Sequence, residues 1–572
     1  SQYEFQRPNG AGNPQGTMTT VDIFTDEINS DLIVSASHDI NKDFSVRGLV
    51  GWNVNQRTSK VRSLDGVGYV VFNIDEITNL NDVTPNPNSA YSRRRLYGVY
   101  ADVNFGFRDW AFLTLTARND WSSTLPVENR SFFYPAVNAS VILNDALNMS
   151  SEFFNQIKLR AGWAAVGNDT GPYLLNNVFV VNDFDNVTRS AVGRPFTPTG
   201  GPAAGSTIPT SGLNAVGTDP NLKPERTTEI EGGVDLRFWN DRAGISFTAY
   251  SKESTDQIAQ ISVPEETGFQ NQLTNFGAVT NKGVEIGVDF TPVKTASGLS
   301  WTIIGSFTKN KNLIKELRPG VNEIQFGSGF GGSIGTVHRP GEPYGILTGT
   351  VDVRDDEGNL LIDPSTGQFI QALEPAIVGD PNPDFILGIT NMVSFKGITI
   401  SAVWDLRQGG DIYSTTVNSI MGRGVLAFQA DREENAILRG VYGDPTTFLP
   451  YLDDAGNKIP NQTMIETNSL YFGESFGTNS ADEWSVFDAT TYRLREASII
   501  YQFPKALLER TPFGAISLGV TGRNLWYYAP NFPKDINYDP ETNQFGARNG
   551  QGIEYSTTPS ARRFAVTLRA TF

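Results

Sequence analysis

The 572-residue sequence has no cysteine and only two histidines, His38 and His338. Without cysteine there is no disulfide framework and no thiolate metal site. Two histidines leave little from which to build a His-ligated zinc centre or a Ser–His–Asp triad. Basic residues are in deficit, 45 against 62 acidic, for a net charge of −17. Nucleic-acid binding calls for a basic surface, so that partner class is set aside. No run of about 18 apolar residues occurs, which excludes a membrane-spanning helix. Spanning by strands is untouched, because a barrel strand needs roughly 9–11 residues with every second one apolar. The mean hydropathy of −0.27 is therefore no argument against a membrane. Ser1-Gln2-Tyr3-Glu4-Phe5 lacks the basic start and apolar core of a leader. The chain is expected either to follow a cleaved leader or to be part of a longer protein.

What is abundant is aromatic side chains (11%, with 36 Phe) and period-two alternation. In the last eleven residues, Phe564, Val566, Leu568, Ala570 and Phe572 share one strand face, and Arg563, Thr567, Arg569 and Thr571 lie on the other. Taken alone, this fits a half-buried strand of a soluble sandwich or a membrane barrel's final strand. The same alternation recurs in Trp110–Asp120, Ala243–Tyr250, Leu299–Thr308, Ile398–Arg407 and Ala515–Arg523. It predicts about sixteen strands, at 18–26, 31–39, 44–56, 93–107, 110–121, 132–143, 156–167, 225–238, 243–256, 278–292, 298–311, 384–395, 398–409, 488–503, 514–527 and 562–572. Short Asn/Asp/Gly connections such as Asn41-Lys42-Asp43, Arg108-Asp109 and Lys396-Gly397 suit tight turns. They alternate with long loops at about 57–92, 168–222, 312–383, 410–484 and 529–560. Loops this long without structure are rare in compact soluble domains, whereas membrane barrels pair short periplasmic turns with long extracellular loops. The fold expected is all-β, a transmembrane antiparallel up-and-down β-barrel.

Several ordered motifs carry a family resemblance. Leu113–Trp121 (L-T-L-T-A-R-N-D-W) with Phe133-Tyr134-Pro135 looks like an "R-x-D…FP" strand pair, and Lys158–Asn168 like "K-x-R-x-S-x-G-x-x-G-N". Pro220–Glu231 resembles a strand start of the form "L-K-x-E-x-T". Asn275–Glu285 resembles "N-x-G-x-x-x-N-x-G-x-E", and Gly379–Asn391 resembles "G-x-P-x-P-x-F-x-x-G-x-x-N". Tyr492–Pro504 with Arg523-Asn524-Leu525 completes the series. Together they resemble the SusC/RagA-like TonB-dependent outer-membrane transporters of Gram-negative bacteria. The resemblance implies a 22-stranded barrel, of which residues 1–572 supply about sixteen strands as its C-terminal portion. The N-terminal plug and the TonB-contacting segment are expected outside these residues. It also implies a SusD-like lid lipoprotein, energy from a TonB–ExbB–ExbD complex, and an oligosaccharide or oligopeptide as cargo. A passive sixteen-stranded porin and a surface adhesion or assembly platform are the alternatives.

No residue set points to an enzyme or a cofactor. Gly327-x-Gly329-x-x-Gly332 matches a dinucleotide fingerprint but lacks the strand before and the helix after that the motif requires. Many members of the family carry a calcium-type acidic loop, but here Asp352, Asp355, Asp356, Glu357 and Asp363 lose its spacing. A solvated turn and a metal loop both remain open for 352–363. Charges on the faces expected to line the lumen are Arg118, Asp120, Lys158, Arg160, Glu285, Asp289, Asp405, Arg407, Arg495, Arg523, Arg563 and Arg569. Both signs occur, so no simple anion or cation filter follows. Trp526, Tyr527, Tyr528, Phe532 and Tyr538 are candidates for stacking on ligand or lid, or for an aromatic girdle at the membrane interface.

Overall fold

The computed structural model describes all residues except 1, 7–14, 72, 86–89, 150, 152, 176–178, 183–209, 214–215, 268, 270, 329–333, 432, 473–479, 534–535, 537, 542–550 and 559. Seventeen strands belong to one sheet. Fifteen are long: β1 (Thr17–Asp39), β2 (Phe44–Tyr69), β3 (Ala90–Phe107), β4 (Ala111–Ser122), β5 (Ser131–Ile142), β6 (Phe154–Asn168), β7 (Glu225–Phe238), β8 (Ala243–Thr255), β9 (Gly277–Lys294), β10 (Ser300–Leu317), β11 (Phe385–Phe395), β12 (Ile398–Gln408), β13 (Thr491–Gln502), β14 (Ala515–Tyr528) and β15 (Arg563–Thr571). Gln2–Gln6, paired with the start of β1, and Leu80–Pro85, paired with the end of β2, complete the set.

The chain divides into two compact units. The first holds 1–140, 162–230 and 254–277, and the second 141–161, 231–253 and 278–572. In the first, β1–β2, β2–β3 and β3–β4 pair antiparallel between sequence neighbours. In the second, β10–β11, β11–β12, β12–β13, β13–β14 and β14–β15 do the same. Neighbour-to-neighbour pairing is what tight turns allow. Arg108 and Asp109 (φ 47° and 59°) connect β3 to β4, and Lys396-Gly397 (φ 47° and 86°) connects β11 to β12. Positive φ at both central residues gives the primed turn whose twist matches the strands. Between β1 and β2, the Asn41 side-chain oxygen accepts from the amides of Asp43 (2.8 Å) and Phe44 (3.0 Å).

Two expectations about the N-terminal region need correction. Segments 18–26 and 31–39 form one 23-residue strand, not two. Residues 57–69, expected in a loop, continue β2, which is 26 residues long. The polar run Glu27-Ile28-Asn29-Ser30 reads as a turn by composition. In the sheet its polar side chains bond across the strand pair: Asn53 donates to Asn29 (3.0 Å) and Asp31 (2.8 Å), and Asn55 to Glu27 (2.8 Å). At about 3.3 Å per residue, strands this long far exceed the roughly 9–11 residues that cross a bilayer.

The second unit's long loops are also not structureless. Ile324–Ser328, Gly335–His338, Ile346–Gly349 and Ala376–Gly379 form a four-stranded sheet. Helix α1 (Thr415–Gly422) follows strand Asp411–Ser414 and is capped by Ser414, whose hydroxyl accepts from the Val417 amide. Here the protein buries apolar side chains in compact clusters. One contains Ile412, Val417, Met421, Leu426, Phe532 and Tyr538, another Ile334, Leu347, Tyr413 and Ile553. In the first unit, Leu125, Leu222 and Leu273 make a smaller core. Most of loop 168–222 lies outside the described residues, as do Gly329 and Gly332 of the glycine motif.

Candidate functional site

The sheet's polar face carries linked charges and hydroxyls. In the first unit, Arg118 Nε donates to Asp120 (2.9 Å), and the Tyr134 hydroxyl donates to the same carboxylate. Thr116 donates to Asp102 (2.8 Å) and Asn104 to Thr114 (2.7 Å). Gly98 makes the room: a Cβ there would lie 2.3 Å from Asp120 Oδ1. Next to this face, Asp169 is held by Arg94 Nε (2.9 Å), Thr124 (2.9 Å) and Ser122.

In the second unit, Arg160 pairs with Asp235 (3.4 Å), and Ser246 donates to Asp235 (2.8 Å). Arg237 pairs with Asp289 (2.7 Å). Lys158 lines a cavity of about 460 Å³ with Asp235, Arg237, Ser246 and Asp289. Glu285 stands four residues from Asp289 on β9, with no ion pair among the described residues.

A third group fastens a loop to the barrel wall. Relative to β12, where Val403 and Trp404 are adjacent, β13 carries Arg495 as an extra residue. This bulge re-aims the strand: Arg493, Arg495 and Glu496 all reach polar-face partners. Arg493 makes a two-pronged pair with Asp539 (Nη1 to Oδ2, 2.7 Å), and both side chains are almost wholly enclosed. Arg495 reaches Asp405 (2.7 Å) and Glu541 (2.6 Å), and Arg523 reaches Glu496 (2.8 Å). Arg407 donates to the Pro381 carbonyl (2.7 Å). Burial raises the Asp539 carboxyl, but bonds from Arg493 and Ser560 outweigh it and hold the group below the ordinary carboxylate range. Arg563 lies opposite Arg523, and Arg569 opposite Ser517.

The loops hold further polar knots. Glu554, fully buried, accepts from the hydroxyls of Ser414 (2.8 Å) and Thr416 (2.7 Å) and from the amides of Thr416 (3.0 Å) and Thr557 (2.7 Å). Asp352 accepts from the Trp484 indole (2.5 Å), and burial pushes its carboxyl up to about 6. Buried His338 is driven down to about 4 by desolvation. In the acidic loop, the Lys458 ammonium sits among Asp355 (2.9 Å), Asp356 and Glu357 (3.4 Å), supplying a cation from the chain itself.

The five aromatic candidates separate. Phe532 and Tyr538 are each 5% exposed and belong to the loop core, so they are not available for stacking on a ligand. Trp526 and Tyr528 are exposed and stack on each other, with Trp404 edge-on to Trp526. These three form a belt on the apolar face. Tyr527 faces the other way, with the Arg493 guanidinium 5.6 Å over its ring. Sequence reasoning missed Arg493, Asp539, Asp169 and Glu554. Arg493 and Asp539 are 46 residues apart, and no local pattern announces such a pair.

Residues 1–339 match the family described as TonB dependent receptor-like, beta-barrel. The chain belongs to the TonB-dependent receptor β-barrel family. It is 26% identical over 569 residues to TonB-dependent receptor P3 of Formosa agariphila, covering 93% of this chain and 51% of that protein. It is 24% identical over 338 residues to TonB-dependent receptor SusC of Bacteroides thetaiotaomicron, covering 56% and 32%. The structure of the RagAB peptide transporter has the same fold (TM-score 0.70, 15% identity, all of this chain and 58% of that one). The chain spans about half the length of Formosa receptors P26 and P3. A TonB-dependent receptor barrel is integral to the outer membrane, with its apolar strand face toward lipid. The Trp404–Trp526–Tyr528 belt lies on that face.

Proposed function

We propose that this receptor barrel is the wall and outer vestibule of an energised importer for an oligosaccharide or oligopeptide. A plug and a TonB-contacting segment supplied outside these residues would gate it, TonB–ExbB–ExbD would drive it, and a SusD-like lipoprotein would close over it. The observation that carries this reading is the loop assembly of the second unit. It has its own sheet, helix and cores, and the buried Arg493–Asp539 pair and the more exposed Arg495–Glu541 pair fasten it to the strands. A passive pore needs no such folded superstructure; a vestibule that receives cargo and a lid does. The polar face, with paired charges of both signs, suits a wet wall that holds no single ion.

The chemistry is binding and gating, and no bond is made or broken. Purification of the full-length protein from outer membranes under mild detergent, followed by mass spectrometry, tests the reading. A stoichiometric lipoprotein and a bound oligomer, peptide or glycan, are expected. Recovery of the barrel alone, with neither, would overturn it.

A further inference from the structure

On the lipid-facing side of the first unit, the apolar band ends at a shelf of cations. The register puts Leu32, Trp52 and Val99 on one rung of β1, β2 and β3, and Ser30, Val54 and Tyr97 on the next. Trp52 and Tyr97 are 50% and 42% exposed and mark the aromatic edge of the band. Continuing away from the short 40–43 turn, the same face presents the rungs Gln56/Arg95, Thr58/Arg93 and Lys60/Tyr91, then Arg62. Lys60, Arg62, Arg93 and Arg95 are all exposed. None of the four has an ion pair among the described residues. Arg95 is steadied by Gln56 (2.8 Å), and Lys60 and Arg93 both lie over the Tyr91 ring (5.9 and 5.6 Å). The acids facing the same way are Asp26, opposite Thr58, and Asp22, opposite Arg62. Four cations against two carboxylates leave an excess of +2 in a protein whose overall charge is −17.

We propose that this shelf binds the phosphorylated sugar headgroup of an outer-leaflet glycolipid. The acyl chains lie on the Val50–Trp52–Val99 band. The headgroup's phosphates are shared along the shelf, one near Arg95 and Arg93 beside the band and one farther out near Lys60 and Arg62, and the exposed rings of Phe24 and Tyr91 flank the sugar. Two arguments favour this occupant. The cations begin about two residues, roughly 7 Å, beyond the aromatic edge, where headgroups meet the band. Guanidinium groups also recognise phosphate through paired donors.

The test titrates the full-length protein in detergent with diphosphoryl lipid A and with its dephosphorylated form, read by native mass spectrometry. Each surface cation facing anionic lipid changes affinity about five-fold. Arg62→Gln/Arg93→Gln should therefore weaken phosphorylated lipid by roughly 25-fold. Arg57→Gln, on the opposite face of β2, should leave binding unchanged, and Arg62→Lys/Arg93→Lys, which keeps the charge but loses the paired donors, should fall between the wild type and the double Gln variant. A heat-shift gel on each variant confirms that the barrel is folded. Equal affinity for the dephosphorylated lipid, or no loss in the double variant, would overturn the proposal. So would occupation of the site by inorganic phosphate as readily as by the lipid.

Discussion

Arg493 and Asp539 are nearly sealed from water, yet each keeps its charge because the other is in two-pronged contact. Removing one partner leaves the other as a buried, uncompensated ion, which costs about 3–5 kcal/mol. Arg493→Met should lower the melting temperature of the detergent-solubilised protein and open 529–560 to protease, and Arg493→Met/Asp539→Leu should recover much of the loss. Two titratable loop residues oppose each other. Asp352 is raised to about 6, so its native form holds a proton that the unfolded chain releases near pH 4. Its stabilisation is full below about pH 4 and is lost as pH rises through 6. His338 is lowered to about 4, so its contribution is full above roughly 6.5 and is lost as pH falls through 4. The two slopes nearly cancel between pH 4 and 6. Asp352→Asn should expose the histidine's slope, with the loop assembly weakening on acidification by roughly 2–3 kcal/mol. Hydrogen exchange of 335–349 against pH reads this out, and an unchanged flat profile would contradict it.

Strands of the barrel were legible because one face meets lipid and the other water, which imposes period two on the sequence. β7, β12 and β14 fall within a residue or two of their expected bounds for that reason. The reading failed where the physics changes. Beyond the bilayer, β1 and β2 are polar on both faces: Asp26, Gln56, Thr58, Lys60 and Arg62 stand where the apolar face would continue, Asn29 and Asn55 line the other, and the continuing strands look like turn and loop. Loop folding was equally illegible, because its cores join residues over a hundred positions apart, such as Val417 and Phe532. Candidate charges could be listed from alternation, but their partners could not. Asp120 was foreseeable on its face; its bond from Tyr134, on the next strand, was not. Close strand approach gives one test. Gly98→Val would drive a side chain into Asp120 and Arg118, and should destabilise the barrel by about 1–3 kcal/mol in thermal melts. In the acidic hairpin, Lys458→Ala removes the ammonium shared by Asp355, Asp356 and Glu357. Amide exchange at 355–359 should quicken, and unchanged exchange would show the Asp355–Asn359 bonds to be sufficient.

At the scale of the whole molecule, a TonB-dependent receptor barrel joins a lipid-facing apolar surface to folded outer loops, and the proposed work is driven import. The most direct measurement is uptake by cells making the full-length protein, using one labelled pool of mixed oligopeptides and one of mixed oligosaccharides. One pool should accumulate, and accumulation should vanish when a protonophore collapses the proton-motive force or when TonB is deleted. Accumulation that persists without that energy source would contradict the account and make the barrel a passive pore; accumulation of neither pool would contradict the cargo class.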